Sequence, residues 1–165
     1  MRYIVLFAFL ASTAVSAGAQ TPSGMAAMQY YAGTWACAAV GEPDSKTTAT
    51  YTIVNGVMRD SVYLPPQGKM TTPYQLEIVT TFDPKNDRYV QTTLDNQSVW
   101  AVSFAKPFTG NTEEWINTAT YDGKLGRVEV VRAAASAFDI LGYASVSQDK
   151  PDFKVTCSKD GGNGP

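Results

Sequence analysis

Short runs of residues that alternate between apolar and polar, broken by turn residues about every ten positions, dominate the chain from Tyr31 onward and constrain its fold more than any other feature. In a β-strand successive side chains point to opposite faces, so such runs read as strands with one face toward a core and one toward water. Ala49, Tyr51 and Ile53 stand against Thr48, Thr50 and Thr52, and Leu76, Ile78, Thr80 and Phe82 against Gln75, Glu77, Val79 and Thr81. By the same reading Trp100, Val102 and Phe104 form an apolar face against Ala101 and Ser103. Strands are predicted near 33–40, 46–54, 57–64, 74–82, 87–94, 97–105, 112–120, 125–133, 137–144 and 152–158. Asn55-Gly56, which tolerates the positive φ of a type I′ turn, marks one hairpin; Asp83-Pro84-Lys85-Asn86-Asp87, Asp95-Asn96 and Asp122-Gly123 mark further reversals. Pro65-Pro66-Gln67-Gly68-Lys69 reads as a surface loop, because proline cannot donate to a central ladder. Helical periodicity is confined to 24–31, where Ser23 is placed to cap a turn or two presenting Met25, Met28 and Tyr31 on one side. The fold class expected is all-β: an antiparallel up-and-down barrel of about 8 to 10 strands with a short N-terminal helix.

The first residues carry a different signal. Arg2, the apolar run Tyr3 to Val15 and the small residues Ala17-Gly18-Ala19 are ordered as in a cleavable secretory leader. The run is shorter than the roughly 20 residues a membrane-spanning helix needs. A leader over 1–19, a barrel domain over 20–158 and a disordered tail over 159–165 are therefore expected, with no stable membrane anchor and a secreted or periplasmic location. Loss of Arg2 leaves 12 basic residues against 15 acidic, so the net charge moves from −2 to −3. The charges are scattered singly, and nucleic acid, which needs a basic face, is not an expected partner. Asn96-Gln97-Ser98 fits a glycosylation triplet, a pattern common by chance.

Two cysteines and no histidine narrow the chemistry further. An even cysteine count in an exported chain reads as a disulfide, Cys37 to Cys157, and two thiols without histidine leave no ordinary zinc site. Cys37 falls in the first predicted strand and Cys157 in the last. Bridging them requires Cα atoms within about 7 Å, which an even-stranded meander satisfies by closing on itself; some sandwiches also bring their chain ends together. The absence of histidine removes Ser-His-Asp and Cys-His nucleophile systems and His-ligated haem.

After the short helical lead-in, Tyr31-Ala32-Gly33-Thr34-Trp35 opens the first strand, and this resembles the lipocalin-like (calycin-type) barrels, whose Gly-x-Trp sets a tryptophan as a plug at one barrel end. The resemblance covers most of the chain in architecture and one motif in sequence; later lipocalin signatures are not recognisable. About ten strands is closer to the fatty-acid-binding and nitrobindin branch, or to exported bacterial lipocalin-like proteins of unknown function. Nitrobindin-like proteins hold haem through histidine, so haem does not carry over, and no cofactor or metal is expected. The resemblance implies a small hydrophobic molecule as partner; no protein partner is indicated.

Candidate site residues follow from the aromatic content. Trp35 is expected at the closed end, and Tyr51, Phe82, Trp100, Phe104 and Trp115 on the wall of a cavity, the alternative being that rings simply fill the interior. Among charges within strands, Arg127 and Glu129 share a face opposite Val128 and Val130 and are expected outside. Arg132 falls on the valine face, as an inward cation near one end and an optional anchor for a ligand. Glu113 and Glu114 are adjacent, point to opposite faces and cannot form a catalytic carboxylate pair, so no catalytic residue is assigned. Three functions stay open: a carrier for a small hydrophobic ligand, a barrel enzyme of isomerase or cyclase type acting on an apolar substrate, and a loop-mediated binding or inhibitor module. A carboxylate shifted toward neutrality in an open cavity would favour the enzyme, and a sealed interior with apolar loops the inhibitor.

Overall fold

A computed structural model of the protein describes residues 24–42, 45–67 and 70–159. The leader segment, Ser23 and residues 160–165 of the expected tail lie outside the described residues. A 3₁₀ helix, Gly24–Tyr31, leads into ten strands: β1 (Gly33–Ala39), β2 (Lys46–Val54), β3 (Val57–Leu64), β4 (Tyr74–Asp83), β5 (Arg88–Asp95), β6 (Trp100–Ala105), β7 (Thr112–Thr120), β8 (Arg127–Ala134), β9 (Ala137–Tyr143) and β10 (Phe153–Lys159). Each strand pairs antiparallel with its neighbours in sequence, and β1 pairs with β10, so the meander closes into a barrel without an edge. β10 runs through Lys159, one residue beyond its predicted end.

The turns form for the reasons their residues suggest. Asn55 and Gly56 take φ of 51° and 74°, the left-handed pair that matches the twist of β2 and β3. The Asp83 carboxylate accepts the Lys85 N–H at 3.2 Å, and that of Asp95 accepts those of Gln97 at 2.9 Å and Val99 at 2.7 Å; in both loops the aspartate supplies the turn's hydrogen bonds.

Cys37 and Cys157 face each other in the β1–β10 ladder, with Cα atoms 4.0 Å apart, and are joined by a disulfide at the seam. Both are buried, on the face that carries Trp35.

One end of the barrel is shut. The 3₁₀ helix, whose side chains recur every third residue, turns Met28 and Tyr31 inward. Beneath it Trp35, Tyr89 and Phe138 are fully buried. Trp35 packs edge-on to Phe138, ring centroids 4.6 Å apart, and donates its indole N–H to the Tyr31 carbonyl at 2.7 Å. Tyr89 donates its hydroxyl to the Gly24 carbonyl at 2.7 Å, tying the helix to β5. Burying rings of this size stabilises by roughly 2–3 kcal/mol each, which concentrates much of the core energy at this end.

The face assignment for β6 is corrected. Trp100, Val102 and Phe104 point outward, and Ala101, Ser103 and Ala105 point in. Hydrophobicity fails as a guide here because space is limiting. Ala105 pairs with Tyr89 on one side and Trp115 on the other, and two large inward rings leave room only for a small residue between them. Phe104 is instead covered on the outer surface by the Arg88 guanidinium, 3.9 Å from its ring centre, and Trp100 is 41% exposed.

Candidate functional site

Inward residues of β2, β3, β4, β8 and β9 do not meet across the barrel. They leave a cavity of ≈510 Å³, within the range of small-molecule sites. Its wall is mainly aliphatic: Val62 and Leu64 on β3, Leu76 and Ile78 on β4, Val128 and Val130 on β8, and Ile140 on β9. The floor is the aromatic layer at the helix end, where Tyr31, Trp115 and Phe138 show an edge. At the opposite end Leu64, Tyr74 and Phe153 line the cavity, and Phe153 is 52% exposed, so this end is the mouth. Gly142 on β9 pairs with Phe153, and a Cβ there would overlap the ring; the glycine lets Phe153 lie across the neighbouring strand. Exposed apolar side chains gather at the same end, with Trp100, Tyr121, Leu125 and Val146 all in or beside its loops.

The residues expected to form the site are only partly brought together. Tyr51 and Trp115 line the cavity. Trp35 lies below the floor, completely buried, and touches no open space. Phe82 points inward but sits at the closed end, against Gly24 and with its ring 5.2 Å from that of Tyr89. Trp100 and Phe104 are on the outer surface and are removed from the wall.

Arg132 does point inward at the closed end, as alternation on β8 predicts, but it is already engaged. Its guanidinium donates to the Glu113 carboxylate at 2.6 Å and to the Ala27 carbonyl at 3.1 Å, and it sits among the rings of Tyr30, Tyr31 and Phe108, 4.6–5.1 Å from their centres. Glu113, 3% exposed, also accepts the Tyr31 hydroxyl and, at 3.4 Å, the Trp115 indole N–H. Burial pushes the Glu113 carboxyl upward, opposed by Tyr31 and Arg132. With its charge consumed by Glu113, Arg132 is a tie between β8, β7 and the helix, not a free ligand anchor; removing either partner alone would strand a buried charge. Arg127 and Glu129 are paired on the outer wall, with Arg127 stacked 3.7 Å over Tyr143, and Val128 and Val130 face the cavity.

Sequence reasoning missed the most unusual group. Asp60, on β3 between Met58 and Val62, faces the cavity and is 2% exposed, and its Oδ1 has no hydrogen-bond partner. Desolvation raises its pKa from 3.8 to about 7, the charge of Glu77 adds to the rise, and the Tyr51 hydroxyl, across the β2–β3 ladder, opposes it. Other polar wall groups are partnered: Ser103 donates to Asn117 at 2.7 Å and Gln91 to Thr80 at 3.3 Å. The signal was present in the alternation Met58, Asp60, Val62, Leu64, which sets one carboxylate in an otherwise apolar face.

Among the described residues no helix is long and apolar enough to cross a membrane. Compared with models of known protein families and with curated proteins, the chain matches none.

Proposed function

We propose that this protein is an exported binding protein that carries a small hydrophobic molecule inside its barrel. The observation that carries this reading is the cavity itself: ≈510 Å³, walled by aliphatic side chains, floored by aromatic rings and reaching an exposed apolar end. The disulfide supports an oxidising compartment, in keeping with the leader-like segment over 1–19. The lipocalin-like resemblance of Gly33-Thr34-Trp35 is supported by the closed antiparallel barrel with Trp35 at its shut end.

Asp60 favours a second reading. A buried carboxyl whose pKa is raised to about 7 can hold or release a proton near neutrality, and with Tyr51 beside it could serve an isomerase or cyclase acting on an apolar substrate. A loop-mediated inhibitor gains nothing from a hollow interior, so this cavity weighs against that reading.

Native mass spectrometry of protein purified from an exporting host tests the carrier reading. The expected spectrum contains a species heavier than the chain by one small apolar molecule, at one per barrel, and that species disappears in Ala101→Trp, where the indole occupies the cavity. Only unliganded protein, from several hosts and lipid-rich media, would count against it.

A further inference from the structure

We infer that the ligand is an apolar amine, whose protonated nitrogen pairs with Asp60 while its hydrocarbon body fills the rest of the cavity. This rests on the carrier reading and specifies its ligand. Asp60 is the one wall residue among those described whose buried polar atom lacks a partner, and a carboxylate oxygen can only accept a hydrogen bond while ionised. A buried acceptor left empty costs free energy that a ligand donor removes on binding.

The charge of the site selects among donors. Among the described residues no Lys or Arg lines the cavity, whereas Asp60 and Glu113 both do. Arg132, the inward cation, is neutralised by Glu113. A ligand carboxylate would therefore enter an apolar space with no counter-ion and face Asp60, which desolvation already holds partly protonated. An ammonium has the opposite fate. It supplies both the missing donor and the counter-charge, and it draws Asp60 back to its ionised form. Tyr51 lies beside Asp60 near the floor, and Tyr74 and Phe153 line the mouth; these rings tolerate a cation better than an aliphatic surface does. A neutral alcohol satisfies the oxygen but not the charge.

Isothermal titration of the full-length mature protein at pH 7.5 with n-octylamine, n-octanol and n-octanoate holds the hydrocarbon constant and varies only the head group. Octylamine is expected to bind about tenfold or more tightly than octanol, the worth of one charge-assisted hydrogen bond, with octanoate weakest. Asp60→Asn leaves an ammonium in the cavity without its counter-charge and should abolish the preference, bringing octylamine to the affinity of octanol or below it. If octanol or octanoate equals octylamine in the wild-type protein, or if Asp60→Asn leaves the preference intact, amine recognition is overturned while the carrier reading stands. If none of the three gives saturable binding, the carrier reading falls and takes this inference with it. The wild-type series decides the question even if the variant does not fold.

Discussion

Replacing Cys37 and Cys157 together with alanine lowers the unfolding free energy by roughly 4–5 kcal/mol. The two residues are 120 positions apart, so the bridge ties nearly the whole described chain into one loop and withdraws that loop's closure entropy from the unfolded state. In the folded state the bridge has little left to do. The β1–β10 ladder continues on both sides of it, from Trp35 opposite Lys159 to Ala39 opposite Val155, so the barrel stays closed without the bond. Equilibrium urea unfolding followed by tryptophan fluorescence should show the midpoint moving down by about 2 M, with a steeper slope because the unbridged unfolded chain exposes more surface. A shift under about 0.5 M would mean that the unfolded chain keeps its ends together by other means. Domains of this size have only about 5–15 kcal/mol to lose, so the reduced protein should sit near the edge of stability.

Asp60→Asn should stabilise the unliganded protein, and only above mildly acidic pH. Below the ordinary aspartate pKa of 3.8 both folded and unfolded chains carry the proton, and the variant gains nothing. Between pH 3.8 and about 7 the unfolded chain ionises while the folded one holds its proton, so wild-type stability falls as pH rises, by at most about 1.4 kcal/mol per pH unit. Well above pH 7 the penalty is complete, at up to about 4 kcal/mol. The difference in thermal midpoint between variant and wild type, measured from pH 4 to pH 8, should therefore grow from near zero to its full value across this window. Glu113 titrates in both proteins, so the difference isolates Asp60. A gap that is constant with pH would show that Asp60 is already solvated or paired.

The architecture was legible in the sequence because its determinants are local. Alternation, Asn55-Gly56 and the aspartate turns place every strand within a few residues, and the position of the two cysteines in the first and last strands carries the closure. The site was less legible because its determinants lie between strands. That Ala105, not Phe104, faces inward depends on Tyr89 and Trp115 from the flanking strands, which no reading of β6 alone supplies. Arg132 was placed correctly on its own strand, but its neutralisation by Glu113 comes from β7, and reading Glu113 only against Glu114 hid it. Asp60 escaped notice because one carboxylate in a polar-looking β3 resembles any solvated charge until the barrel closes over it.

The claim on which the rest depends is that the barrel interior accepts an apolar guest. N-phenyl-1-naphthylamine is neutral at pH 7.5 and fluoresces strongly only in apolar surroundings, so its titration reads the cavity directly. Saturable enhancement at one probe per protein, abolished in Ala101→Trp and retained in Asp60→Asn, is the predicted result. Linear, unsaturating fluorescence, or equal binding by Ala101→Trp, would place the probe elsewhere and contradict a ligand-holding barrel.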